Sequence, residues 1–277
     1  MKTIMAIDNK SIQKDKRIFE IDLIRGICMI LVIFDHFIYD ITYTMGDVFL
    51  DYPGTNKVFN AIVDFGRWYW TSNIRFHVRN VTIFLFLCLI GICCSFTRNN
   101  IKRGAKLFLG AAIISIATFI LGLITNDLEL TITFGILHCA ALSLFVIGLL
   151  EKVTQNKWVY WIISIIMIIT GLYFYKDAGF ATYQGSTIWE VFYSLILGTN
   201  NYGSDCMPFL LYGGQIFAGV FIGKVLYANK KSLIKKEYKN NAITFVGRHS
   251  LMTYLIHQVV VIVALVIILL ICGYRVG

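Results

Sequence analysis

Long apolar segments follow one another along nearly the whole chain, and they constrain the fold more than any motif does. An opening segment covers residues 19–45, and the others cover 78–97, 107–125, 133–150, 157–175, 208–227 and 245–272. A helix needs about 20 apolar residues to cross about 30 Å of hydrocarbon. Only 15% of the 277 residues are charged, too few to cover a soluble domain. The sequence therefore predicts an all-α, polytopic helical bundle, a single membrane domain over 1–277 with about seven transmembrane helices.

Two further segments are aromatic or apolar but do not suit a full crossing. Residues 46–75 carry several charges together with Trp68, Tyr69 and Trp70, and aromatic rings of this kind anchor at the level of lipid headgroups. Residues 188–197 are apolar but too short to span the hydrocarbon. We expect the first to form an outer interfacial segment and the second a short interfacial or re-entrant helix.

The basic residues are distributed unevenly between the connections. The tail over 1–18, the even-numbered turns and the basic loop over 228–243 hold most of the Lys and Arg residues. Because basic connections stay on the cytoplasmic side, this pattern predicts a cytoplasmic N-terminus and, with seven spans, a C-terminus outside. The same pattern explains the net charge of +9, so nucleic acid is not expected as a partner.

The opening segment carries ionisable residues along one face. On a helix of about 100° per residue, Asp22, Arg25, His36 and Asp40 fall within an arc of roughly 60°, with Asp35 to one side. A charge at bilayer depth costs about 3 kcal/mol even on lenient scales, so such groups usually mark a working site. The topology places Asp22 and Arg25 near the inner end of this stripe and His36 and Asp40 near its outer end.

His36 is the predicted general base. Asp40 lies four residues further along, where its carboxylate can reach the imidazole, set its tautomer and raise its basicity. Asp35 directly precedes the histidine and is the alternative partner. A hydrogen-bonded structural pair without catalytic function remains the other interpretation.

Other polar residues sit at the two ends of the predicted bundle. Near the inner end, Arg248 and His249 lie beside the basic loop and are candidates for binding a phosphorylated ligand, or they simply mark topology. Four residues lie at the outer side and are candidates for binding an acceptor, although helix capping also explains the carboxylate: Arg75, Arg79, His138 and Asp205. The histidines and cysteines lack the spacing of a metal site, so no metal is expected.

Five blocks, taken together and in order, resemble a known family. They are EIDLIRGICMILVIFDHFIYD, FLFLCLIGICCSFTR, FGILHCAALSL, SDCMPFLLYGGQIFAGVFIGK and GRHSLMTYLIHQ. The chain is similar to the heparan-alpha-glucosaminide N-acetyltransferase catalytic-domain family, in particular to its short bacterial members, within the wider transmembrane acyltransferase superfamily. The sequence departs from related proteins in having Asp35 before the histidine and in the block CMPFLLYG. The eukaryotic enzymes also have more spans and a lumenal domain.

The resemblance implies transfer of an acetyl or other acyl group from cytoplasmic acyl-CoA to an acceptor across the membrane. That acceptor would be a sugar or amino sugar of a glycan, and the location would be a bacterial plasma membrane. In related acyltransferases a first-span histidine after an Arg-Gly pair is the base, which corresponds to His36 after Arg25-Gly26. Arg25, Arg248 and His249 would then contact CoA or line its path.

Two other classes of function remain open from the sequence. An intramembrane His/Asp relay also suits a proton-coupled transporter or flippase, although no internal repeat is visible. A non-enzymatic membrane subunit of an envelope assembly is the second alternative. The sequence is compatible with a homodimer but contains no motif that decides it.

Overall fold

A computed structural model describes residues 18–234 and 241–276. Almost all of the predicted tail over 1–18, and residues 235–240 of the predicted basic loop, lie outside the described residues. Helices dominate the described part of the chain, as the hydropathy pattern predicts.

The elements follow in chain order. Helix α1 (Phe19–Tyr39) continues through a π-helical turn (Asp40–Thr44) into the short α2 (Met45–Val48) and β1 (Phe49–Leu50). Then come α3 (Lys57–Thr71), α4 (Asn73–Ile92), α5 (Asn100–Thr125), α6 (Ile136–Val153), α7 (Lys157–Tyr175), β2 (Gly179–Ala181), α8 (Ile188–Leu197) and β3 (Asn200–Tyr202). A second π-helical turn (Phe209–Gly213) leads into α9 (Gly214–Leu226), and the chain ends with α10 (Ala242–Arg248), α11 (Ser250–Ile271) and β4 (Arg275–Val276).

Six helical segments of the described residues are long and apolar enough to cross a membrane. They are Asn73–Phe96, Asn100–Thr125, Ile136–Val153, Lys157–Tyr175, Phe209–Leu226 and Ser250–Ile271. Helix α1 has 21 residues and a length of about 32 Å, sufficient for a seventh span, but it carries the ionisable stripe. The predicted architecture, an all-α bundle with about seven membrane-spanning helices, is confirmed.

Helix ends differ from the predicted bounds where capping residues decide them. The Ser72 side chain accepts a hydrogen bond from the backbone of Arg75, so α4 begins at Asn73 and carries Arg75 and Arg79 on its first turns. The last predicted span is interrupted at His249, and Asn241 opens the separate helix α10 through a capping box. The predicted short helix over 188–197 matches α8. The four short strands were not predicted.

Contacts between connections group them at the two ends of the bundle. At one end, β1 pairs with β4 and so joins the segments after the first and last spans. The segment after the fifth span pairs β2 with β3, and its Ser204 hydroxyl donates to the carbonyl of Leu130 in the 128–130 turn. At the other end, the Glu20 carboxylate accepts hydrogen bonds from Ser232 and from the backbone of Leu233. The start of α1 thus lies with the connection after the sixth span, and the end of α1 lies with the segment after the last span. Seven successive crossings require this arrangement.

Glycines allow the helices around the polar stripe to pack closely. A Cβ atom on Gly219 of α9 would collide with the carbonyl of Cys88 in α4, and one on Gly247 of α10 would collide with the carbonyl of Asp22 in α1. The first contact lets the backbones of α9 and α4 approach closely, as small residues do between membrane helices. The second holds α10 against the inner half of α1 and thereby positions α11.

Candidate active site

Two histidines from distant parts of the sequence meet between α1 and α11. The ring centroids of His36 and His257 are 5.0 Å apart, with the ring planes inclined at 64°. His257 is buried, with 7% of its surface exposed, whereas His36 is exposed. The charged groups of Asp35, Arg75 and Arg79 lie close enough to act electrostatically on His36. The pair therefore combines one accessible imidazole with one enclosed behind it.

Hydrogen bonding defines the tautomer of His257. Its Nδ1 lies 2.7 Å from the carbonyl oxygen of Tyr254, and because a carbonyl can only accept, Nδ1 carries the proton. In the neutral ring, Nε2 then presents a lone pair. This nitrogen is buried and has no hydrogen-bond partner among the described residues. A buried base without a partner is unusual in a structural histidine and suits one that exchanges a proton.

Asp40 does not pair with His36 as the four-residue spacing suggests. Both oxygens of its buried carboxylate accept from Nε2 of Gln258, at 3.1 and 3.0 Å, and Oδ1 also accepts from the hydroxyl of Thr44 at 3.1 Å. No hydrogen bond joins Asp40 to His36 in the described residues. The amide of Gln258, on the facing helix, satisfies the carboxylate instead, so the predicted orienting partner belongs to the contact between α1 and α11.

Asp35 is not the partner of His36 either. Arg75 of α4 donates from Nε and a terminal nitrogen to the two Asp35 oxygens, both at 2.8 Å, and Tyr69 of α3 donates its hydroxyl at 3.2 Å. The Arg75 guanidinium also stacks on Trp70, 3.3 Å from the ring centroid. Burial, followed by the Asp35 charge, raises the pKa of Tyr69 to about 12 and keeps it a donor. Asp35 thus ties the predicted interfacial segment, now α3, to the bundle.

The remaining outer candidates have separate surroundings. Asp205 accepts the backbone N–H of Ile136 and so caps the start of α6; burial raises the pKa of its carboxyl, and Arg79 opposes that shift. Arg79 is exposed and forms no ion pair with any described residue. His138 contacts the Ser115 hydroxyl at 3.1 Å and stacks on Phe134.

The inner candidates are brought together at the end of α1. Arg25 lies 3.7 Å from the carboxylate of Asp22 and donates to the sulfur of Cys93 at 2.8 Å. Arg248 ends α10 one residue beyond Gly247, which packs on the Asp22 carbonyl. His249 lies at the break before α11 and is exposed. Its Nδ1 lies within hydrogen-bonding distance, 3.0 Å, of the carbonyl oxygen of Phe245. Arg25 is thus engaged in the contact between α1 and α4.

Sequence reasoning missed the contacts of His257 with His36 and of Gln258 with Asp40. Both histidines of the last span were visible as ionisable residues at membrane depth, which was the available signal. Nothing in the spacing showed which of them would face α1. The described residues contain no group of three or more His, Cys, Asp or Glu side chains arranged to hold a metal ion.

These features define a polytopic membrane protein in which two histidines meet at the contact between the first and last long helices. Residues 57–259 match the family model described as heparan-alpha-glucosaminide N-acetyltransferase, catalytic. The match covers well over half of the chain, and the chain belongs to this family of membrane acetyltransferases, which confirms the resemblance. No curated protein and no solved structure matches it.

The matched region begins after α1. It includes His257, Arg75, Arg79, His138 and Asp205, but it leaves out His36 and the remainder of the opening stripe. The interest of His36 therefore depends on its contact with His257 and on its accessibility, rather than on the family match.

Proposed function

We propose that this protein transfers an acetyl or other acyl group from a cytoplasmic acyl-CoA to a sugar or amino sugar on the opposite side of the membrane. Membership of the acetyltransferase family supports the class of reaction. The observation that best supports the site is the contact of accessible His36 with buried His257, whose Nε2 has no partner among the described residues. A proton removed from an acceptor needs such a base.

The proposed chemistry assigns different roles to the two rings. The acceptor oxygen or nitrogen attacks the thioester carbonyl carbon while His36 takes the acceptor proton. The new C–O or C–N bond forms, the C–S bond breaks, and the proton passes to the departing thiolate to give free CoA. His257 replaces Asp40 as the proposed positioning residue, because its Nε2 lone pair has no partner among the described residues and its ring centroid lies 5.0 Å from that of His36. This nitrogen is therefore the proposed acceptor for an N–H of the His36 ring.

The polar groups at the two ends suit different substrates. Arg79, which has no ion pair within the described residues, is the proposed acceptor-side cation, and its charge acts on Asp205. His138, in the first turn of α6, is a further proposed acceptor-side group. Arg25, Arg248 and His249 remain the proposed groups along the donor path, since they gather at the inner end of α1. The proposed orientation has the N-terminus in the cytoplasm and the C-terminus outside a bacterial plasma membrane.

Transfer of radiolabelled acetyl from acetyl-CoA to membrane or glycan acceptors tests the proposal. His36→Ala should lower the rate by about 100-fold or more, the usual range for loss of a general base. His77→Ala is the matched control, because His77 is an exposed histidine near the start of α4 whose ring lies edge-on to Phe76. A His36→Ala rate equal to the wild-type rate would remove the assignment.

His257 is tested by the pH profile rather than by the rate alone. If His257 is a positioning residue, the variant His257→Gln should have a shifted acidic limb in its pH–rate profile. It should also lower kcat more than it changes KM. A uniform loss without a change of profile would assign His257 a structural role only.

A proton-coupled transporter is the second candidate, because two histidines in contact also suit a proton relay. Thermal stabilisation by CoA thioesters would favour the transferase. Proton uptake by proteoliposomes that depends on His257 and occurs without acyl-CoA would favour transport.

A further inference from the structure

A cavity lies at the end of the bundle opposite the short strand pairs. Its volume is about 280 Å³, and its walls come from the ends of three spans: Ser95 after α4, Gln155 and Lys157 at the turn into α7, and Gly223, Lys224 and Tyr227 at the end of α9. All three segments lie at or beside the connections predicted to be cytoplasmic. The cavity is separate from the histidine pair and from every candidate residue discussed above.

The lining is positively charged. It contains Lys157 and Lys224 and no acidic side chain. Neither lysine forms an ion pair with a described residue; Nζ of Lys224 donates to the amide oxygen of Gln155 at 3.1 Å, a neutral acceptor. Lys157 is also the first residue of α7, a helix of 19 residues whose N-terminus directs the positive end of its dipole to the same side.

One buried hydroxyl in this lining lacks a partner. Oγ of Ser95 is buried and forms no hydrogen bond with any described residue. Gly223 faces it, and a Cβ atom there would lie 2.6 Å from that oxygen, so a larger residue would close this part of the cavity. A buried hydroxyl without a partner is unfavourable, and a phosphate oxygen would supply the missing acceptor once the Ser95 side chain turns toward the cavity.

We propose that this cavity binds the phosphate group of a ligand. Two lysines, a hydroxyl donor and a helix N-terminus are the donors that phosphate oxygens require, and the volume suits a phosphate or pyrophosphate group rather than a whole nucleotide. A CoA molecule, an anionic phospholipid headgroup and inorganic phosphate carry the same group. The inference goes beyond the proposed transfer reaction, because binding at this site does not depend on His36 or His257.

Binding to the purified full-length protein in uncharged detergent tests the proposal. Melting temperature is recorded against inorganic pyrophosphate and against CoA, and in a third arm the protein is placed in vesicles of phosphatidylglycerol or of phosphatidylcholine. At least one phosphate arm should stabilise the wild-type protein, and the effective arm identifies the source. The apparent Kd in that arm should rise about tenfold or more in the double variant Lys157→Gln/Lys224→Gln, because charge-assisted hydrogen bonds are lost.

Control variants separate this site from general attraction to positive charge. Lys152→Gln removes an exposed lysine from the same end of the bundle outside the cavity lining and should leave the apparent Kd unchanged. If the double glutamine variant fails to fold, Lys157→Arg/Lys224→Arg with Ser95→Ala takes its place, and the serine change should weaken binding. Absence of stabilisation in all three arms, or equal loss in Lys152→Gln, would overturn the proposal. Because binding is measured rather than transfer, a failed acetyltransferase assay does not affect this result.

Discussion

The ion pair between Asp35 and Arg75 gives a prediction whose size follows from the structure. The pair is bidentate, with both contacts at 2.8 Å, and only 22% and 14% of the two side chains are exposed. Arg75→Met keeps the apolar stem against Trp70 but leaves the Asp35 carboxylate with Tyr69 as its remaining donor. Breaking one partner of a buried pair costs about 3–5 kcal/mol, and the remaining Tyr69 bond points to the lower end of that range.

Thermal unfolding of the purified protein measures this cost. At about 2 °C per kcal/mol for a chain of this size, Arg75→Met should melt about 6 °C below wild type. Arg67→Met is the matched control: Arg67 lies 3.5 Å from Asp64, with 63% and 74% of these side chains exposed. An exposed pair contributes about 0–1 kcal/mol, so the control should melt within about 2 °C of wild type.

A double-mutant cycle tests the reason for the loss. Adding Asp35→Asn to Arg75→Met removes the uncompensated charge and should restore part of the stability, with a coupling energy of about 1–3 kcal/mol. Equal melting temperatures for Arg75→Met and Arg67→Met, or strict additivity of the Asp35 and Arg75 changes, would refute the argument that this contact fastens α3 and α4 to α1.

Two further predictions concern packing and pH. Gly219→Val should destabilise the protein by about 3 kcal/mol, the upper range for overpacking, because the α9 backbone lies against the Cys88 carbonyl. The yield and the melting temperature of this variant should fall. Gly46→Val is the control and should change neither, because there is open space around Gly46. Burial raises the folded-state pKa of the Asp205 carboxyl, so folding favours its protonated form. The wild-type protein should therefore lose stability relative to Asp205→Asn as the pH rises through that pKa. Below the ordinary Asp pKa of about 3.9 the stability gained from protonated Asp205 is fully present. If the melting temperatures of the two proteins change in parallel with pH, the raised pKa of Asp205 is contradicted.

The helical architecture could be predicted because it depends on local properties of the chain. The apolar run over 157–175 became α7 with the same bounds, since Asn156 caps its start, accepting from the backbone of Trp158, and a continuous apolar segment specifies a crossing by itself. The predicted start of α4 lay five residues too late, because the arginines in its first turns resemble an interfacial loop, whereas Ser72 caps the helix before Asn73.

Pairing within the candidate site could not be predicted in the same way. Spacing along one helix indicated that ionisable groups of α1 share a face, and it suggested Asp40 as the partner of His36. In the structure Asp40 binds Gln258, which is 218 residues away, and His36 contacts His257. Each partner lies on another helix, whose rotation no spacing within α1 can report.

The sequence by itself therefore determined the membrane class, the helical bundle, most span bounds, the family and the placement of charge along α1. Hydropathy and capping are short-range properties, and a bilayer allows few ways to satisfy the backbone of an apolar segment. Only the tertiary structure decided which ionisable groups meet, because this depends on helix rotation and on close approaches such as that of Gly247 to the Asp22 carbonyl. Through those contacts His36, one residue of the ionisable stripe on α1, meets His257 of α11.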